Sequence, residues 1–185
     1  MISGNGSTMQ ALLDAPEMIQ KARVIISSSK LAYGILRARR AGIPVEVLPT
    51  ELYTREKRSE AETWIFEKLK LYQINKVFLA GFMKILSPDF VEKVGAGSIV
   101  NIHPSKLPLF KGARGFEETI ESGAAYGGIT IHEVTSQVDE GRIILQRDIE
   151  IPKSRDLKTS RLWLSINEQR VIRESLRRVQ CAQSI

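Results

Sequence analysis

The chain has 185 residues, of which 43% are hydrophobic and 26% are charged. This composition is typical of a globular protein, and the length predicts one domain covering residues 1–185. No apolar run is long enough to span a bilayer and no signal peptide is recognisable, so we expect a cytoplasmic protein without a membrane partner. The single cysteine, Cys181, cannot form an internal disulfide.

The formal net charge is +6 and the pI is about 9.5. Such a charge fits either a nucleic-acid-binding face or attraction of a small anionic substrate. Much of the excess positive charge lies between residues 161 and 178, a segment with five arginines and only two glutamates. The sequence contains no zinc-finger spacing, aromatic RNA-binding pattern or lysine-rich arm. We therefore expect a solvated helix face there and no nucleic-acid partner.

The N-terminus carries a glycine loop, Ser3-Gly4-Asn5-Gly6-Ser7, after only two apolar residues. The glycines permit close backbone approach, and Ser7 and Thr8 are expected to cap a helix that begins around Met9. Backbone amides that converge in this way suit a phosphate, although the same pattern also occurs in plain turns. A strand normally precedes such a loop, so the first strand is predicted to be truncated.

Short strands and helices alternate after the loop. Strands are predicted over 22–27 and 44–48, with a helix over 31–41 that ends at Gly42. This rhythm predicts an α/β fold with a mostly parallel sheet flanked by helices. A further helix should place four apolar side chains in the core: Trp64, Ile65, Leu69 and Leu71.

A continuous apolar run over 77–82 predicts a central parallel strand. It leads into Met83-Lys84-Ile85-Leu86, and Ser87-Pro88-Asp89 then marks the start of another helix. Met83, Ile85 and Leu86 suit either ordinary core or an apolar slot for a flat ligand.

The run over 98–102 predicts a buried strand that ends in polar groups. Because strand side chains alternate, Asn101 and His103 should point the same way, towards the edge where α/β folds bind ligands. An amide and an imidazole together can stabilise an oxyanion and move a proton. Asp139, on a turn before the next apolar run, is the candidate that orients His103. The alternative is a structural histidine beside a turn-forming asparagine.

The remaining segments complete the predicted elements. A basic, glycine-bearing loop over 104–115 can close over an anion, and a helix should follow over 116–122. His132 is expected to be structural or to act only through other residues. A strand region over 142–151 and a long helix over about 156–179 end the chain.

Several of these segments resemble the signature of folate-dependent formyltransferases, and within them of the phosphoribosylglycinamide formyltransferases. The resemblance covers residues 2 to about 151 and rests on the following blocks: Ile2-Ser3-Gly4-Asn5-Gly6-Ser7, Ala80 to Leu86, Asn101 to Pro108, Gly112, Gly128 to His132, Asp139-Glu140-Gly141 and Gln146. Their joint occurrence in this order is highly specific. It implies a Rossmann-like formyltransferase domain.

The resemblance also implies an activity and a set of site residues. The activity is formyl transfer from 10-formyltetrahydrofolate to 5-phosphoribosylglycinamide in purine synthesis, with small-molecule substrates and no metal. Asn101, His103 and Asp139 would be catalytic. Gly6, Ser7, Thr8 and Glu168 would bind the ribotide and its phosphate. The folate site would comprise Arg55, Met83, Lys84, Ile85, Leu86 and Asn101.

The chain departs from the family pattern at Thr8, where asparagine is usual, at Lys111 to Phe116, where a histidine is usual, and around Glu168. The alternatives are therefore formyl transfer to methionyl-tRNA or to an amino sugar, hydrolysis of formyl-folate, or a non-catalytic module that binds folate or an anion. The oligomeric state is open, and a homodimer is one alternative.

Overall fold

The computed structural model describes residues 1–152, 154 and 156–181. It contains these helices and strands in chain order: α1 Ser7–Leu13, α2 Pro16–Ile19, β1 Ile25–Ser27, α3 Gly34–Arg40, β2 Val45–Val47, α4 Arg58–Leu71, β3 Val77–Leu79, α5 Pro88–Val94, β4 Ile99–His103, α6 Gly115–Glu121, β5 Tyr126–Glu133, β6 Ile143–Glu150 and α7 Leu157–Cys181. A 3₁₀ turn at Thr50–Leu52 follows β2.

The strands form two sheets. β1 and β2 pair in parallel, and the second sheet has the order β3-β4-β5-β6. Its first pair is parallel, whereas β4-β5 and β5-β6 are antiparallel. The predicted α/β fold is confirmed, but among the described strands the parallel pairs involve only β1 to β4, which lie within residues 25–103. The loop and helix between β4 and β5 return the chain in the opposite direction, which the alternation of segments did not reveal.

The first residues of the chain lie between the two sheets. Ile2 forms a single parallel bridge with Ser27 and donates its N–H to Ile26 O at 2.9 Å. On the other side, Ala80 N donates to Met1 O at 2.9 Å. This short extended segment therefore connects β1 to the end of β3, and the Ile2 side chain is fully buried.

The core consists of two clusters on opposite sides of the sheets. The first lies beneath α1, α6 and α7 and includes Ile2, Phe116, Ile129 and Ile172. The second lies beneath α4 and α5 and includes Ile65, Leu69 and Phe90. These two layers hold the carboxyl ends of β3 and β4 at one edge of the fold, as expected for an open α/β sheet.

Two sequence-based expectations are wrong in detail. Leu71 is 68% exposed and not in the core, because it is the last residue of α4 and points to solvent. Ser7 and Thr8 do not cap α1: the helix begins at Ser7, and its N-cap is Gly6 in a left-handed conformation without a side-chain cap. Ser87, by contrast, caps α5 by accepting a hydrogen bond from Phe90 N at 3.1 Å.

Candidate active site

Asn101 and His103 lie on the same face of β4, at its carboxyl end. Asp139 reaches both from the turn between β5 and β6. Its Oδ2 is 3.5 Å from His103 Nδ1, and its Oδ1 accepts from Asn101 Nδ2 at 3.4 Å. His103 is 4% exposed. The structure thus brings together the three side chains that the sequence singled out, in a largely buried cluster.

His132 is a fourth member of this cluster. It lies directly opposite Asn101 in the antiparallel β4-β5 pairing. Its Nε2 is 3.2 Å from Asn101 Nδ2 and 3.4 Å from Asp139 Oδ1, and its Nδ1 donates to Glu133 O at 2.8 Å. From the sequence we expected His132 to be structural or to act through other residues, but these contacts could not be foreseen, because the β4-β5 register that places His132 beside Asn101 cannot be read from the residue pattern.

Asp139 adopts a left-handed backbone conformation, with φ of 55°. Its Oδ2 also accepts a hydrogen bond from Gly112 N at 2.7 Å. Burial by itself would raise the pKa of Asp139. The hydrogen bond from His132, the Gly112 amide and the charge of the nearby imidazoles outweigh burial and lower this pKa to about 2. Asp139 is therefore a carboxylate at neutral pH.

Both ring nitrogens of His103 face acceptors. Nδ1 faces the Asp139 carboxylate, and Nε2 donates to Phe110 O at 2.9 Å. A carbonyl and a carboxylate can only accept, so the doubly protonated imidazolium satisfies this arrangement best. The ring orientation of His103 is therefore fixed from both sides.

The loop over 104–114 covers His103. A Cβ on Gly115 would lie 2.8 Å from His103 Nε2, so only glycine fits where the loop enters α6. The base of the loop is fixed to the sheet: Thr130 Oγ1 donates to Ser105 O at 2.7 Å, and Gln146 Nε2 donates to Leu107 O at 2.8 Å. Its far side is held by an ion pair between Lys111 and Glu140 at 2.8 Å. Thr130 and Gln146 thus position the base of the loop.

The glycine loop lies close to the end of β3. Ser3 N donates to Gly81 O at 3.1 Å, and Ser3 Oγ accepts from Met83 N at 2.8 Å. Gly6 has a φ of 74°, and a Cβ there would lie 2.7 Å from Gly34 Cα. Only glycine fits this position, because any side chain would be strained and would collide with α3.

Thr8 and Glu168 are in contact although 160 residues separate them. Thr8 Oγ1 donates to Glu168 Oε2 at 3.0 Å, across the interface of α1 and α7. Glu168 is 6% exposed, and its burial raises its pKa to about 7 despite this hydrogen bond. Of the predicted ribotide residues, Gly6 ends the glycine loop, Ser7 and Thr8 are the first residues of α1, and Glu168 contacts Thr8.

The predicted folate residues lie in three places: Met83 to Leu86 on the loop after β3, Arg55 on the segment before α4, and Asn101 on β4. Met83 and Ile85 are 67% and 65% exposed, whereas Leu86 packs against the core beneath α5. Lys84 Nζ donates to Tyr53 O at 2.6 Å. This bond joins the loop after β3 to the segment that carries Arg55, two residues after Tyr53. Arg55 itself is exposed, and Asn101 is the one member of the set inside the buried cluster.

Neither a metal centre nor a membrane helix is found among the described residues. They include no group of three or more histidine, cysteine or acidic side chains placed to hold a metal ion. In residues 1–152, 154 and 156–181, no helix is long and apolar enough to cross a membrane.

The fold and the site define an α/β domain with an amide, an imidazole and a carboxylate at the carboxyl edge of its sheet, next to a glycine loop. A family model described as "Formyl transferase" matches residues 1–174. The chain therefore belongs to the formyl transferase family.

Relatives by sequence include proteins with known names within this family. The phosphoribosylglycinamide formyltransferase of Escherichia coli (strain K12) is 36% identical over 154 residues, which are 82% of this chain and 71% of that protein. The human trifunctional purine biosynthetic protein adenosine-3 is 37% identical over 182 residues. That match covers 97% of this chain but only 18% of the human protein.

Solved structures agree with the sequence relatives. Phosphoribosylglycinamide formyltransferase from Streptococcus pneumoniae TIGR4 superposes with a TM-score of 0.85 at 31% identity, covering 96% of this chain and 95% of that one. Glycinamide ribonucleotide transformylase 1 from Symbiobacterium toebii superposes with a TM-score of 0.84 at 33% identity, covering 95% and 83%. The predicted Rossmann-like formyltransferase fold is confirmed.

Proposed function

We propose that this chain transfers a formyl group from 10-formyltetrahydrofolate to the amine of 5-phosphoribosylglycinamide. The observation that carries the proposal is the buried Asn101, His103 and Asp139 cluster, which lies at the same edge of the fold as the glycine loop. The names of the relatives in Escherichia coli and Streptococcus pneumoniae support the acceptor.

The proposed chemistry needs no group beyond these side chains and the two substrates. The acceptor amine attacks the formyl carbon, and the carbonyl oxygen becomes an oxyanion. The His103 imidazolium and the Asn101 amide stabilise that charge, which grows only as the transition state forms. The attacking nitrogen loses a proton, the bond between the formyl carbon and N10 of the folate breaks, and N10 gains a proton.

Asp139 acts on this chemistry through His103. A carboxylate 3.5 Å from Nδ1 stabilises the imidazolium by Coulomb attraction, which is strong at a site shielded from water. Because the same carboxylate faces Asn101, it also fixes the amide beside the imidazole. Asp139 therefore holds both groups towards one reacting carbon.

The loop over 104–114 must move during turnover. In the described conformation Phe110 O accepts the hydrogen bond of His103 Nε2, while the other ring nitrogen, Nδ1, faces Asp139. A substrate oxygen can reach Nε2 only if this carbonyl leaves. We therefore assign the described conformation to the protein before substrate binding.

The two substrates are assigned to neighbouring surfaces. Exposed apolar side chains at Met83 and Ile85, with Lys84 and Arg55 nearby, suit a flat folate with an acidic tail. Gly6, Ser7 and Thr8 supply backbone amides for the ribotide phosphate, and Glu168 lies beside them. The single domain over 1–185, expected from the chain length, the cytoplasmic location, expected from the sequence, and the homodimer stay predictions.

The test is a formyl-transfer assay with one donor and several acceptors. The protein is incubated with 10-formyltetrahydrofolate and, separately, with 5-phosphoribosylglycinamide, methionyl-tRNA, an amino sugar or water alone. We expect transfer to the ribotide amine at least about 100-fold faster than to the other acceptors, since only the ribotide uses the glycine loop. Faster transfer to another acceptor would replace the proposed substrate, and folate binding without any transfer would make the chain a binding module.

A further inference from the structure

Arg37, on α3, holds the glycine loop from the side. Its Nε donates to Asn5 O at 3.1 Å, and its Nη2 donates to Asn5 Oδ1 at 3.0 Å. The guanidinium also lies over the ring of Tyr33, 5.1 Å from the ring centroid. One planar group therefore holds both the backbone and the side chain of the residue between Gly4 and Gly6.

The start of α3 packs against the same loop. Gly34 N donates to Gly4 O at 3.1 Å, and a Cβ on Gly34 would lie 3.2 Å from Gly6 Cα. Arg37 follows Gly34 by three residues, so both lie on the face of α3 that meets the loop. The contacts that α3 makes with Gly4, Asn5 and Gly6 thus all come from one turn of this helix.

Such a hold changes how readily the loop binds a ligand. Glycines have the greatest backbone freedom, and a loop with two of them must be ordered when its amides converge on an anion. A contact that orders the loop beforehand removes this cost from binding. Arginine is suited to the task because its rigid fork makes two directed hydrogen bonds, which the lysine ammonium cannot reproduce.

We propose that Arg37 is a positioning residue for the phosphorylated acceptor. Its fork on Asn5 keeps the backbone amides of residues 6–8 directed at one point, and the acceptor phosphate is bound there. The proposal rests on the proposed function, because it assigns Arg37 to the ribotide half of the site. Arg37 is accordingly not expected to affect folate binding, which is assigned to the loop after β3.

The first arm of the test measures steady-state kinetics of Arg37→Gln and Arg37→Lys. We expect the KM for 5-phosphoribosylglycinamide to rise about tenfold in both variants, the loss corresponding to one charge-assisted contact. The kcat and the KM for 10-formyltetrahydrofolate should stay within about twofold. Arg40→Gln, an exposed arginine on the same helix, removes the same charge and should behave as wild type.

The second arm uses inorganic phosphate and needs no turnover. Phosphate should raise the melting temperature of the wild-type protein and of Arg40→Gln, but much less that of either Arg37 variant. A Lys variant with wild-type KM and phosphate response would overturn the proposal, because charge alone would then suffice. Equal losses for both substrates, or a wild-type protein that phosphate does not stabilise, would overturn it too. Phosphate stabilisation without formyl transfer by the wild-type protein would instead count against the proposed function alone.

Discussion

At the residue scale, Asp139 links more groups than any other side chain of the site. One of its oxygens faces His103 and accepts from Gly112, and the other faces Asn101 and His132. The left-handed backbone at this position suits aspartate and asparagine better than most residues. Asparagine can therefore replace it with little strain, which allows the charge to be removed by itself.

We expect Asp139→Asn to fold and to bind 10-formyltetrahydrofolate, but to lose activity by about 10²-fold or more, because its amide cannot stabilise the His103 imidazolium. Its stability should also respond differently to acid. The pKa of Asp139 is lowered to about 2, so its charge stabilises the fold above about pH 4, and this contribution is lost as the pH falls to 2. The variant should therefore be less stable than wild type at pH 7, and the difference in the free energy of unfolding should disappear between pH 4 and 2.

Chemical denaturation at several pH values measures this difference in the free energy of unfolding between wild type and Asp139→Asn. Asp148→Asn is the matched control, since Asp148 is a half-exposed partner of Lys106 away from the cluster. A constant gap between wild type and Asp139→Asn from pH 7 to 2, together with retained activity, would leave Asp139 as a turn residue only.

Local sequence patterns were enough to predict that Asn101, His103 and Asp139 lie close together. Asn101 and His103 follow from alternation along one strand, and Asp139 from a turn beside an apolar run. The contacts of His132, Phe110 and Gly112 could not be predicted. They depend on the register of antiparallel strands and on the path of a loop, and both are set by packing between segments distant in sequence.

At the element scale, the contact between α1 and α7 contains a buried titratable group. Glu168 is almost fully buried, with Thr8 donating to it from α1. Its pKa is raised to about 7, so the folded protein binds a proton there that the unfolded chain releases near pH 4.5. Stability from this group is therefore full below about pH 4.5 and is lost as the pH rises to 7.

Glu168→Gln should remove this dependence, because glutamine resembles the neutral acid at every pH. Relative to wild type, we expect the free energy of unfolding of the variant to increase between pH 4.5 and 7, by up to about 3 kcal/mol, and to change little above pH 7. Denaturant titrations across this range provide the measurement. Glu17→Gln, an exposed glutamate on α2, should show no such trend. A parallel pH dependence of wild type and Glu168→Gln would show that Glu168 titrates normally.

Elements with a clear period were predicted well. The strand ending at His103, the helix starting after Ser87 and the long C-terminal helix all appear where the pattern placed them. The four-residue helix Pro16–Ile19 and the turn Thr50–Leu52 were missed, because neither is long enough to show a hydrophobic period. The early start of α1 reflects the left-handed Gly6, which ends the loop without a side-chain cap.

At the scale of the whole molecule, the two sheets and the segment between them bring the glycine loop, the loop over 83–86 and the turn that carries Asp139 to one edge of the fold. The segment over 1–3 hydrogen-bonds to β1 and to the residues after β3, which places the glycine loop beside the loop over 83–86. β4 is the next strand and carries Asn101 and His103. Sequence reasoning predicted this edge from the parallel βα units but not the antiparallel return of β5 and β6, which delivers Asp139 and His132 to it.

The most direct test of the whole account is the turnover of His103→Ala with saturating 10-formyltetrahydrofolate and 5-phosphoribosylglycinamide, compared with wild type. We predict that kcat falls by about 10²–10⁴-fold, because the group proposed to stabilise the oxyanion is removed, while folate binding measured by fluorescence or calorimetry is retained. A His103→Ala protein that keeps more than half of the wild-type turnover would contradict the account.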